Sequence, residues 1–437
     1  DTMGAQRRGF LLYADVKRGL QQVVPMATAG SDRARAEVEQ YLALSGFDKV
    51  EALAIADIPA GTGYRSELAL TMSERTGFLA VLESGAADHR FAKHVPRDAL
   101  LYAGEKSDLA GLWDRALAWM ATIDPRVGQK IQESVAHLNR ELGLDLRREL
   151  LGSLGDQWGV YVDTPPGGGL IPDLVLFASL RDRARAERTI DLLVARLSDA
   201  AASDHITLKR GATEFRGTTI HYLALSHGDE PIPIMPAWAF GEDYCISALY
   251  PQSIKHALME KPSLASNPRF RLLRETAPAG ATSLTYVDSP RIAGWLYNTI
   301  VPILQGTQGA INHEIGKWGV QLNFHDLPPA SVITRHMQAG GMYWVCGDDH
   351  LRLGTVSSFP GTLLAIPATA MLAASVMYVS RVEHHAPFVR ELEFEKALRP
   401  VPAPAPPDAR YRELAERMGR LEAEIAQLRK ELERANK

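Results

Sequence analysis

Leu11–Leu20 reads LLYADVKRGL, and the phrase returns as LLYAGEKSDLAGL at Leu100–Leu112 and as LTYVDSPRIAGWL at Leu284–Leu296. Each copy is a short apolar run ending in tyrosine, then a small or acidic residue, then apolar spacing that suits a helix. VLFASLRDRARAERTIDLL (175–193) and ISALYPQSIKHAL (246–258) follow the same logic. Five strand-to-helix junctions imply an internally repetitive α+β chain, and their irregular spacing argues against a solenoid. Asp15, Ser107 and Ser289 are the expected N-caps, because a short side-chain oxygen satisfies free N–H groups of the first turn. Pro251 and Pro290 suit that turn, where a missing N–H costs nothing.

Outward from the junctions, strands are expected at VEALAIADI (50–58), SELALTM (66–72), GFLAVLE (77–83), WGVYVD (158–163) and PDLVLFASL (172–180). ITLKRGATEFRGTTIHYLAL (206–225) and PAWAFGEDYCISALY (236–250) read as hairpins. GKWGVQLNFHDL (316–327), SVITRHMQA (331–339) and GMYWVCGDDHLRLGTVSS (341–358) supply further strands. Val127, Ile131, Val135, Leu138 and Leu142 form one helical stripe, with Gly143 as its C-cap. Strand-turn-strand order favours α+β with mainly antiparallel sheets over a doubly wound sheet.

At 437 residues two or more folding units are expected. An apolar fraction of 46% and a charged fraction of 23% are those of a globular protein, and a net charge of −4 speaks against a nucleic-acid partner. The chain opens on Asp1, as a processed or truncated chain would, and GFLLYAD (9–15) is too short for a signal peptide. Cys245 and Cys346 sit in strand-like runs. They read as two buried thiols or, in an oxidising compartment, as a bridge closing a loop of about 100 residues.

Leu353–Ser380 (LGTVSSFPGTLLAIPATAMLAASVMYVS) has no charged residue and is flanked by Arg352 and Arg381. As a helix, Gly361–Val382 would be about 33 Å long, enough to cross a hydrocarbon core. Pro367 and the alanines weaken that reading, and the alternative is a strand through Ser358 followed by a buried core helix. Leu363, Leu364, Ile366, Leu372 and Val376 would face the lipid or the docking surface.

Residues 381–398 resume charge as a short helix, and 399–408 form a proline-rich, extended linker. Within 409–437, Tyr411, Met418, Ile425 and Leu432 hold heptad a positions, and Leu414, Leu421 and Leu428 hold d. Arg417 with Glu422 and Glu424 with Arg429 are complementary for parallel self-association. A helix this short needs a partner. Ile at a with Leu at d favours a dimer, whereas the Arg417–Glu422 pattern resembles trimer-favouring sequences.

No catalytic, cofactor or metal residue is nominated. His313-Glu314 lacks a second histidine at Lys317. Asp348-Asp349-His350 and Glu383-His384-His385 place neighbouring side chains in different directions. Ser153 lacks the preceding glycine of a nucleophile elbow, and no Lys-Ser or Lys-Thr follows Gly167-Gly168-Gly169.

ELGLDLRRELLGSLGDQWGVYVD (141–163), followed by PDLVLFASLRDRARAERTIDLL, resembles a bacterial envelope-associated family of unknown function. The resemblance runs from about Val95 to Ser358 and rests on Leu142, Gly143, Asp145, Leu150, Gly155, Asp182 and Ala186. Ala365-Ile366-Pro367 is similar to the Ile-Pro centre of a pilin-type helix, without a pilin-type processing site. The resemblance implies an exported protein. We therefore expect an N-terminal α+β region (1–94), a main body (95–352), the apolar segment (353–380), the short helix, the linker and the coiled coil. The expected role is a non-catalytic envelope scaffold, periplasmic or otherwise extracytoplasmic, with an inner-membrane anchor as one option. Its partners would be itself and a membrane. The alternative is a soluble periplasmic protein binding an apolar ligand, and an enzyme reading ranks below both.

Overall fold

The computed structural model describes residues 9–28, 31–60, 63–164, 172–202, 206–228, 230–259, 261–319 and 321–358. All of them fall in the first of two units into which the chain divides, 1–371 and 372–437.

The chain enters as β1 (Phe10–Asp15), α1 (Val16–Ala27), α2 (Asp32–Ser45), β2 (Val50–Ala60) and β3 (Gly63–Met72). The plan repeats as β4 (Leu101–Lys106), α3 (Leu109–Ile123), α4 (Pro125–Leu142), β5 (Leu154–Asp163) and β6 (Asp173–Leu180). An inserted stretch follows: α5 (Arg183–Ala202), β7 (Ile206–Phe215), β8 (Thr218–His227), β9 (Glu230–Pro231), β10 (Ala237–Phe240), β11 (Tyr244–Ala248), α6 (Pro251–Leu258) and α7 (Pro268–Thr276). The plan then returns as β12 (Ser283–Val287), α8 (Ser289–Ile315), α9 (Ala330–Thr334), β13 (Gly340–Cys346) and β14 (His350–Ser357).

Three modules therefore share one topology: a strand, a helical excursion, and a hairpin that pairs back beside the strand. The described strands join one sheet in the order β1-β2-β3-β14-β13-β12-β4-β5-β6-β11-β10-β8-β7, with β9 paired to β8. Every pairing is antiparallel. The α+β expectation holds, and β1, β2 and β3 share this sheet with the rest of the described strands.

Equivalent strands meet where modules join. Tyr286 of β12 stands directly opposite Tyr102 of β4, so the two copies of the Leu-x-Tyr phrase pair about a local two-fold. The same relation holds at β3·β14. Register runs from Tyr13 through Ala54 to Ala69, and from Tyr286 through Gly341 to Val356. Ala69 and Val356 are thus counterparts, as are Arg65 and Arg352, and the local axis passes between the paired Glu67 and Gly354.

Side chains alternate across the sheet. One face carries Tyr102, Tyr161, Phe177, Ile246, Leu284, Tyr286 and Tyr343, buried beneath Phe91, Val95, Ile254, Leu264, Phe270 and Leu273. Each of these aliphatic or aromatic groups contributes about 1.5–3 kcal/mol by leaving water. A smaller cluster joins Val50, Leu70, Met72 and Leu79 to Val16, Phe47 and Leu351.

The junctions fold as expected, with one shift. Asp15 accepts from the Arg18 N–H at 2.8 Å. At the other two junctions the N-caps are Asp108 and Asp288 rather than the neighbouring Ser107 and Ser289. The Asp288 carboxylate accepts from the Arg291 N–H at 3.1 Å, a charge-assisted bond that a hydroxyl does not match. Gly143 caps α4 as expected.

Three expected strands form other structure. Gly77–Val81 is a 3-10 turn, because Gly77 (φ 55°) packs against the Leu44 carbonyl, where a Cβ would come within 2.3 Å. Residues 316–327 and 331–339 give two 3-10 turns and α9 instead of strands. In the first of these stretches two residues bond side chains of α8: Asn312 pairs with both N–H and C=O of Leu322, and Gln308 accepts from the Phe324 N–H.

Both cysteines are free. They sit on β11 and β13, which β6, β5, β4 and β12 separate, a span of about 24 Å at 4.8 Å per strand, so a bridge between them is geometrically closed off. Leu353–Ser357 belong to β14. The remainder of the apolar segment, the short helix, the linker and the heptads lie outside the described residues. No helix among the described residues is long and apolar enough to cross a membrane.

Candidate functional site: a buried carboxylate–lysine cluster

Asp163 and Asp173 end β5 and begin β6, and they face one another across the hairpin. Their exposures are 6% and 5%, on the covered face of the sheet. Two like charges directly opposite repel, so the pair requires partners. Ser253, in the first turn of α6 and fully buried, donates its hydroxyl to Asp173 Oδ1 at 2.8 Å. The Thr164 N–H donates to Asp163 Oδ1 at 2.8 Å. Lys261 lies on the loop after α6, its ammonium bonded to the His256 carbonyl.

Burial sets the electrostatics. It pushes Lys261 down to about 8, while Asp163 and Asp173 pull the other way. Burial also raises the Asp163 carboxyl, against Arg291 and Lys261, which stabilise its anion. Burial lowers His256 and raises Tyr161. Two aspartates, Lys261 and Arg291 sum to zero formal charge. Asp173 Oδ2, His256 Nδ1, Arg291 Nη1 and the Tyr161 hydroxyl have no hydrogen-bond partner among the described residues. The cluster can receive a polar group at these unpartnered atoms. Among the described residues no set of three or more His, Cys, Asp or Glu is placed to hold a metal.

A second network sits on the local axis at β3·β14. Burial works to raise Glu67, but hydrogen bonds from Tyr343, Arg65 and Arg352 outweigh it and hold the carboxyl below its usual range. Tyr343 reaches Glu67 by lying across Gly354, where a Cβ would meet the ring at 2.1 Å. Burial and Glu67 push the phenol up to about 12.

Two hollows lie elsewhere. One, of about 600 Å³, is lined by Leu44, Val81, Ala118 and Trp119, among others. The other, of about 450 Å³, includes Arg183, Asp191, Arg210 and His221. Beside it Arg210 lies 5.8 Å over the Trp238 ring, and His221 stacks on that ring at 5.7 Å. Neither hollow borders the Asp163–Lys261 cluster.

The residues nominated from sequence, Leu363, Leu364, Ile366, Leu372 and Val376 and the heptad set Tyr411, Leu414, Met418, Leu421, Ile425, Leu428 and Leu432, lie outside the described residues. Asp349 and His350 form an exposed turn pair at 2.6 Å. Ser153 is buried, its hydroxyl donating to the Leu150 carbonyl at 2.7 Å. Sequence reasoning missed the aspartate cluster. Its available signal was Asp163 and Asp173 bracketing the sequence Pro-Pro-Gly-Gly-Gly, since a hairpin register places two such residues opposite one another.

These features define an α+β protein built on one antiparallel sheet, with two aspartates buried at a hairpin mouth. A family model described as "Protein of unknown function (DUF3352)" matches residues 60–314, and the chain belongs to that family. The match runs from the end of β2 to the end of α8. No match is found among curated proteins or among solved structures. The resemblance to a family of unknown function is thereby borne out.

Proposed function

We propose that this chain is a non-catalytic cell-envelope scaffold or assembly protein, held at a membrane by residues 361–382 and oligomerised by the helix 411–432. The observation that carries the reading is the exit of the chain from the sheet. β14 lies in the interior, between β3 and β13, and runs directly into the uncharged stretch. A segment that follows an interior strand would hold the body away from its free edges. The proline linker then sets the heptad helix apart from the body. An extracytoplasmic location and a pilin-like helix around Ile366-Pro367 belong to the same proposal.

Two measurements on the intact chain test it. Partition into lipid vesicles is expected, and deletion of 361–382 is expected to release the protein; recovery of the intact chain in the aqueous phase overturns the anchor. Leu421→Asp with Leu428→Asp is expected to lower the mass per particle, and an unchanged mass removes the heptads from assembly.

The hollow beside Trp119 favours a second reading, a soluble periplasmic protein binding an apolar ligand. In that case an anilinonaphthalene probe binds the chain and Ala118→Glu abolishes the signal. Equal binding by both proteins discards it.

A further inference from the structure

We propose that two copies of this chain join edge to edge through β1, Tyr13 against Tyr13, repeating between molecules the pairing that β4 and β12 make within one. This interface is separate from the heptad helix.

β1 is an end strand of the sheet, and among the described residues nothing pairs with its outer edge. Phe10, Leu11, Leu12 and Tyr13 are 53%, 71%, 45% and 67% exposed, so four consecutive large apolar side chains face water on both faces. The strand carries no charge before Asp15. Edge strands of soluble proteins are normally blunted by charge, proline or a covering element, because an unpaired ladder templates further pairing. Among the described residues β1 has none of these devices on its outer side.

The molecule already shows what such a strand accepts. β1, β4 and β12 are the first strands of the three modules, with Tyr13, Tyr102 and Tyr286 at the same place. β4 and β12 pair antiparallel with Tyr102 opposite Tyr286, Ala103 opposite Thr285 and Gly104 opposite Leu284. Transferred to two copies of β1, that register sets Tyr13 opposite Tyr13, Leu12 opposite Ala14 and Leu11 opposite Asp15. On one face of the joined sheet the two Tyr13 rings then meet at the axis, with Leu11 of each copy beside the partner copy's Tyr13, and on the other face Leu12 of each copy packs on Ala14 of the other. A two-fold of this kind closes on itself, so the assembly stops at two.

The test uses the full chain carrying Leu421→Asp and Leu428→Asp, so that heptad association does not contribute, followed by sedimentation in one non-ionic detergent buffer. The expected result is a dimer that becomes a monomer on adding Leu11→Lys and Tyr13→Lys, with the circular dichroism spectrum unchanged because both positions are exposed. A monomer with β1 intact overturns the proposal. A dimer that survives the lysines overturns it as well, because another surface is then responsible. Tyr13→Cys reads the register: mild oxidation is expected to convert most of the dimer to a disulfide-linked form. A dimer that fails to cross-link at position 13 overturns the β4·β12 template. If the heptad reading fails instead, the heptad substitutions leave the mass unchanged, while the lysine and cysteine arms still report on β1.

Discussion

Tyr13 and Tyr286 occupy the same place in the same local phrase, yet one is 67% exposed and the other 1%. The difference lies in their neighbours. β12 is flanked by β13 and β4 and covered by α7, whereas β1 has β2 on one side alone. The other end strand, β7, completes the comparison. It carries Lys209, Arg210 and Glu214 and packs against α5, and Arg210 pairs with Asp191 at 2.7 Å. One end strand carries charge and packs against a helix; the other, among the described residues, is apolar and unpaired on its outer side. Local sequence thus encodes the strand-to-helix junction, and position in the sheet decides whether its tyrosine stabilises the core or faces outward.

The largest break in this comparison is expected from Tyr286→Ala, which removes a buried ring touching Phe270 and costs about 3–5 kcal/mol in chemical denaturation. Ser253→Ala comes next. It leaves the buried Asp173 carboxylate without its hydroxyl donor, at about 1–3 kcal/mol by the same measurement.

The pH dependence of interior packing gives a third test. Burial pushes His89 down from 6.5 to about 4, so the unfolded chain binds the extra proton between those values. The contribution of this group is complete above pH 6.5 and is lost as pH falls toward 4. His89→Asn, which tolerates the positive φ of 51°, is expected to flatten that part of the stability profile in urea titrations at stepped pH.

Tyr13→Ala, measured on dilute monomer, is expected to change stability by less than about 0.5 kcal/mol, and a loss near that of Tyr286→Ala would erase the contrast between edge and interior. The smallest effect is expected at β7. Lys209→Val with Glu214→Val removes part of its protection and is expected to produce weak, concentration-dependent light scattering, with α5 still limiting access to the edge.

Much of the body was legible. The Leu-x-Tyr phrases located three first strands, Asp15 and Gly143 capped as read, and antiparallel hairpins followed from short turns. The errors share a cause. GFLAV and residues 316–339 have strand-like composition, but Gly77 packs against the end of α2, and Leu322 and Phe324 bond side chains of α8, contacts that strand-like composition does not reveal. The candidate site was hidden for the same reason. Asp163, Asp173, Ser253, Lys261 and Arg291 come from a hairpin, one loop and two helices, and no local spacing links them.

By itself the sequence determined periodicity, capping and the alternation of strands with helices, because these depend on residues within a few positions of one another. It also determined the uncharged stretch and the heptads. Only the tertiary structure decided that modules pair through equivalent strands, that two aspartates share a buried hairpin mouth, and that one copy of a repeated strand is left at an apolar edge. Strand order is fixed by packing summed over the whole sheet, and a phrase of ten residues carries no record of which neighbour it will meet.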